Sequence, residues 1–122
     1  MQSEDRIGGG ISFSGKRGRV FIHKETIAIL GYPKYIRFLF NPDAKKLAVQ
    51  ACDKNVPESF VVPKNNLEDW EFRICSNSLV SVLWESCKWQ HNKTYTVSGT
   101  LYEEQRLVEF ELDKGYIIAG DM

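Results

Sequence analysis

Arg19-Val-Phe-Ile-His-Lys-Glu-Thr-Ile-Ala-Ile-Leu-Gly31 and Glu71-Phe-Arg-Ile-Cys-Ser-Asn-Ser-Leu-Val-Ser-Val-Leu83 are two versions of one pattern. Each runs from a short apolar strand through a polar step into a helix, and the pattern recurs after roughly 50 residues. An alternating hairpin follows each. Lys34-Tyr-Ile-Arg-Phe-Leu-Phe40 turns through Asn41-Pro-Asp into Leu47-Ala-Val-Gln-Ala51. Lys93-Thr-Tyr-Thr-Val97 turns through Glu103-Glu104 into Leu107-Val-Glu-Phe-Glu-Leu112. The unit is therefore β-α-β-β, written twice. A unit this small cannot bury its own apolar faces, so two copies must share one core. The predicted fold class is α+β, with two tandem repeats closing a pseudo-dimeric barrel.

Composition sets the outer bounds. The 122 residues are 43% hydrophobic and 12% aromatic, enough for a core without disulfides or a structural metal. One domain over 1–122 is expected. It divides into a flexible leader (1–10), a first repeat (11–52), a linker able to add a strand (53–69) and a second repeat (70–119). Apolar runs are too short to cross a bilayer, and Met1-Gln-Ser-Glu-Asp-Arg6 lacks the start of a signal peptide, so a cytoplasmic location is expected. Cys52, Cys75 and Cys87 are odd in number, with no Cys-x-x-Cys spacing, which argues against a disulfide framework and a zinc site.

The net charge of zero conceals an imbalance. Residues 1–51 hold nine Lys/Arg against four Asp/Glu, and residues 52–122 hold seven against twelve. A basic first half suggests a polyanionic or acidic partner; the competing explanation is attraction between the halves inside the fold.

Local signals place the elements. Gly8-Gly-Gly10 reads as the end of the leader, although Ile11-Ser-Phe-Ser14 alternates like a strand, and Gly15-Lys-Arg-Gly18 reads as a tight basic turn. Gly31 and Pro33 stop the first helix after barely two turns. The strand from Tyr35 to Phe40 has apolar residues on both faces, so burial on both sides is expected. Asn41-Pro42 suits a type I turn, and Phe60-Val-Val62 fits a strand before Pro63. The second helix starts at Ser76 or Asn77, with Leu79, Val82, Leu83 and Ser86 on one stripe and Val80, Trp84 and Cys87 beside it. Val108, Phe110 and Leu112 face inward, with Glu109 and Glu111 toward water. Tyr116-Ile-Ile-Ala119 reads as a last strand, and pairing it with Ile11–Phe13 would close a barrel edge.

Gly18-Arg-Val-Phe-Ile22, the helix ending in Leu30-Gly31 and the hairpin reaching Leu47-Ala-Val49 together resemble the swapped-hairpin domain of AbrB and SpoVT-type regulators and MazE-like antitoxins. The resemblance covers residues 11–52 and, through the repeat, 70–113 more loosely. It implies a barrel of two interleaved β-α-β-β units that binds duplex DNA, with Arg19 matching the arginine of the Gly-Arg-Val step and Lys16-Arg17 lying where the family's basic arm approaches phosphate. Lys24 and, more distantly, Arg37 complete the candidate nucleic-acid contacts. The chain departs from the family at His23, where a proline is common, and at Ile27 and Ala28, where an arginine pair is often found.

Catalytic patterns are missing from the sequence. His23 and His91 lie in different repeats without metal-pair spacing, and there is no nucleophile elbow, phosphate loop or nucleotide fingerprint. No catalytic residue, cofactor or metal site is assigned. The rival to a DNA-binding regulator is a phage or mobile-element module that blocks a host protein through its acidic half and exposed aromatics, with Trp89 as the candidate partner anchor. A homodimer is weighed slightly ahead of a monomer.

Overall fold

Period-two alternation produces strands here and the polar steps produce helices. A computed structural model describes residues 5–14, 18–62, 72–75, 77–89 and 93–120. The order is β1 (Asp5–Ser14), β2 (Arg19–Ile22), α1 (Lys24–Ile29), β3 (Tyr35–Asn41), β4 (Lys46–Cys52), β5 (Phe60–Val61), β6 (Phe72–Cys75), α2 (Asn77–Cys87), β7 (Lys93–Tyr102), β8 (Leu107–Glu111), a 3-10 turn at Leu112–Lys114, and β9 (Tyr116–Gly120). The strands join in the order β5-β3-β4-β8-β7-β1-β2-β6, all antiparallel, with β9 also on β7. The result is a curled α+β half-barrel with two helices.

Ile11, Phe13, Val20, Ile22, Ile36, Leu47, Val49, Val108 and Phe110 are fully buried on the strands, with Ile27 of α1 and Leu83 of α2 completing the core. Each such side chain contributes about 1.5–3 kcal/mol by leaving water. The ion pairs across β4 and β8, Lys46 to Glu109 at 3.7 Å and Lys45 to Asp113 at 3.9 Å, have exposed or half-exposed partners and contribute about 0–1 kcal/mol each. Apolar alternation, not charge, therefore holds the sheet's register.

Four expectations change. The leader is strand from Asp5 onward, because Gly8-Gly9-Gly10 lets α1 lie directly on β1: a Cβ at Gly8 would meet Ile29 Cδ1 at 2.8 Å and one at Gly10 would meet His23 Nδ1 at 2.7 Å. The last strand, β9, pairs with β7 and not with β1, since β1 occupies the opposite edge of β7. On α2 the expected Val80, Leu83 and Trp84 are buried, but Val82, expected on the same apolar side, is 44% exposed. Finally, β3 is packed on one side only. Ile36 is buried, but Leu39 stands 38% exposed on the outer face. The strand expected at Phe60-Val61 is present and pairs with β3.

The ladders between the two halves have a self-matching register. Lys45 and Arg106 hold the same place in their hairpin turns, both with positive φ, and the residues at the same place after them, Ala48 and Glu109, face each other. Around that pair Lys46 faces Glu111 while Gln50 faces Leu107. Ala51 N donates to Arg106 O, and Leu112 N donates to Lys45 O, both at 2.9 Å. The same holds between β2 and β6, where Phe21 faces Arg73, Val20 faces Ile74 and Ile22 faces Phe72. Both helices end alike: Tyr32 N donates to Ile27 O at 3.0 Å and Trp89 N to Trp84 O at 3.3 Å, each after a left-handed residue, Gly31 or Lys88.

Candidate functional site

The step from β2 into α1 carries two of the predicted contacts, and its geometry is fixed from beneath. Thr26, fully buried in α1, donates through Oγ1 to Gly10 O and accepts from Gly10 N, both at 2.8 Å. His23 N donates to the same Gly10 carbonyl at 3.1 Å. The His23 side chain reaches back to β1, with Nε2 2.8 Å from Ser12 Oγ, which lies 2.7 Å from Thr96 Oγ1 on β7. Ser12 has one proton, so it can donate to no more than one of these two neighbours. His23 thus stands at the N-cap position of α1 without capping it by its side chain. The sequence carries no local signal for this network, since its members come from β1, β7 and the step before α1.

This anchored step presents Arg19 and Lys24. Val20 and Ile22 of β2 face the core, so Arg19 and Phe21, both half-buried, alternate onto the outer face. Arg19 lies in register with Ser14 on β1 and Cys75 on β6. Lys24 opens α1 and is exposed. Strand β2, about 10 Å from Arg19 to Ile22, separates the two positions. Lys16 and Arg17 lie outside the described residues. Arg37 is on β3, which borders β4 and β5 and not β2. Its Nε donates to Gln50 Oε1 at 2.9 Å, and Gln50 Nε2 in turn donates to Gln105 O at 2.9 Å.

Trp89 is half-buried in an aromatic cluster. It stacks on Tyr95 at 4.4 Å with planes 9° apart, meets Trp84 edge-on at 4.9 Å, and lies 5.7 Å from Phe13. Such contacts contribute about 0.5–1.5 kcal/mol each beyond burial. They tie α2 and the segment after it to β1 and β7.

Among the described residues other chemistry is sparse. Cys52 and Cys87 are free thiols; burial pushes both up from the ordinary thiol range, with Asp113 adding to the effect at Cys87 and Lys45 opposing it. A raised thiol is a poor nucleophile near neutrality. Among the described residues no three His, Cys, Asp or Glu side chains gather in a metal-holding group, and no helix is long and apolar enough to cross a membrane. A groove of about 270 Å³ opens on the outer face of β3, β4 and β8, over Ala48 and between Leu39, Leu107 and the Lys46–Glu109 pair. Tyr102 OH steadies Glu109 by donating to Oε1 at 3.3 Å.

Comparison with known proteins finds no matching family model, no matching curated protein and no matching solved structure.

Proposed function

We propose that this chain is a cytoplasmic, non-catalytic DNA-binding regulator of swapped-hairpin type, in which two β-α-β-β units of one chain exchange strands about a pseudo-two-fold axis. The observation that carries this reading is the self-matching register. A pair of equivalent strands related by a two-fold must cross at a residue and its own counterpart; Phe21 with Arg73 and Ala48 with Glu109 are such pairs. Exchange is supported by β1 pairing with β7 of the second half, and by β5, which precedes the second unit, pairing with β3 of the first. In this reading Lys16, Arg17, Arg19 and Lys24 meet phosphates. Ordinary pairing of like units in two chains would make a homodimer; here the fused units take that place within one chain.

Fluorescence anisotropy with mixed duplex DNA between about 50 and 200 mM salt tests the reading, since four phosphate contacts give a slope of about −3.6 in log K against log salt. Lys16→Glu with Arg17→Glu is expected to abolish binding while the far-UV circular dichroism stays unchanged. Binding retained by that folded double variant rejects the assigned surface.

One observation favours a second reading as a protein-interaction module that blocks a host factor. The groove over Ala48 carries an exposed leucine, Leu39, beside a charged pair, a setting that accepts a single apolar side chain from a partner. Absence of DNA binding at the lowest salt would leave this as the better account.

A further inference from the structure

The proposed two-fold is broken in charge. Aligning the strands by their crossing pair makes Glu71 the sequence counterpart of Arg19, and Ser76 the counterpart of Lys24. The second unit therefore lacks the cations that the first unit carries at the step from strand to helix. Its acidic residues serve another purpose. Asp113 and Glu109 pair with Lys45 and Lys46 across the seam between units, and Glu111 stands in register opposite Lys46. About the same axis, two copies of β8 would set Glu109 against Glu109, a like-charge pair directly opposite that destabilises a ladder. Joining a first unit to a second instead sets Ala48 opposite Glu109 with Lys46 beside it, and a chain built this way carries the first unit's cations once.

From this we infer that the protein reads one non-palindromic stretch of duplex DNA, one chain per site, through the first unit alone. The inference rests on the DNA-binding reading above and adds its stoichiometry and symmetry. A symmetric pseudo-dimer offers two equivalent faces and favours a site with matching halves. This chain offers one face, so the second half of such a site gains nothing.

The test uses the full-length protein, a fluorescein-labelled mixed duplex of about one helical turn, ~10 base pairs, and the variant Glu71→Arg with Ser76→Lys, which returns cations to the second unit. Wild type is expected to saturate at one chain per duplex. Two added phosphate contacts should steepen the salt slope of the variant by about −1.8. Saturation at two chains per duplex overturns the inference while leaving the DNA-binding reading intact, and so does an unchanged slope in a variant whose circular dichroism matches wild type. Should the variant fail to fold, stoichiometry of the wild type alone decides between one chain and two. No binding by either protein at about 50 mM salt removes the DNA-binding reading, and this inference with it.

Discussion

At Gly9 the backbone sits at φ +73°, and a Cβ added there would overlap Thr26 Oγ1 and lie 2.8 Å from Thr26 Cα. At Gly31 the backbone is also left-handed, φ +83°, but a Cβ would meet nothing within 4 Å. The two positions separate conformational strain from collision. Gly31→Ala is expected to cost about 1 kcal/mol, the ordinary expense of a left-handed alanine. Gly9→Ala should cost about 3 kcal/mol, because the same strain is joined by displacement of a buried threonine that makes two hydrogen bonds to Gly10. Urea midpoints of the two variants measure the difference; equal losses would mean that α1 does not rest on the β1 backbone.

The two helix ends show a comparable contrast at the scale of elements. Both close with a left-handed residue and a bond from the next residue back to the last turn, yet α1 uses glycine and α2 uses Lys88 at φ +56°. Lys88→Gly should therefore stabilise the protein by about 1 kcal/mol, read as a rise in thermal midpoint; a fall would show that the lysine side chain contributes there. How well elements were legible in the sequence follows from how local their causes are. Gly31 and Pro33 end α1, and Glu109 and Glu111 alternate with Val108 and Phe110, so the short helix and β8 could be read directly. Asn41, whose Oδ1 accepts from Ala44 N at 3.1 Å, announced its turn in the same way. The triple glycine misled because a close-packing strip and a linker have the same composition; only contact with Ile29, Thr26 and His23 distinguishes them. On α2 the burial of Val80, Leu83 and Trp84 followed from helical spacing, whereas the exposure of Val82 depended on how the helix sits over the sheet, and the side of β7 taken by β9 depended on where β1 lay. Of the candidate site, the position of Arg19 on a strand and of Lys24 at the start of a helix could be read from the Gly-Arg-Val strand and the helix after it, whereas the network of His23, Ser12 and Thr96 joins residues as far as 84 apart in sequence and has no local signature.

For the molecule as a whole, the core belongs to neither half. Strand β1 contacts β7 along its length, β4 joins β8, and β2 joins β6, so neither half can bury its apolar residues alone. Unfolding should be one cooperative event. All three tryptophans, Trp70, Trp84 and Trp89, lie in the second half, which makes the comparison simple: fluorescence follows that half and far-UV circular dichroism follows both. The two urea transitions should coincide in midpoint and slope. A fluorescence transition displaced from the dichroism transition would mean that the halves unfold separately.

Strand β7 is also the place where the chain would resist being pulled. It carries β1 on one edge and β9 on the other; Asp5 lies beside Tyr102, and Gly120 beside Lys93. Those attachment points are at opposite ends of a strand about 33 Å long. Tension applied between residues 5 and 120 therefore runs along the strands and loads many ladder hydrogen bonds together, in shear, instead of peeling them one by one. Tension applied across β3 and β4 at their open end, where Tyr35 faces Cys52, would break that ladder one bond at a time, like a zipper. The fold is thus mechanically anisotropic, stiff along β7 and compliant where the β3–β4 hairpin opens.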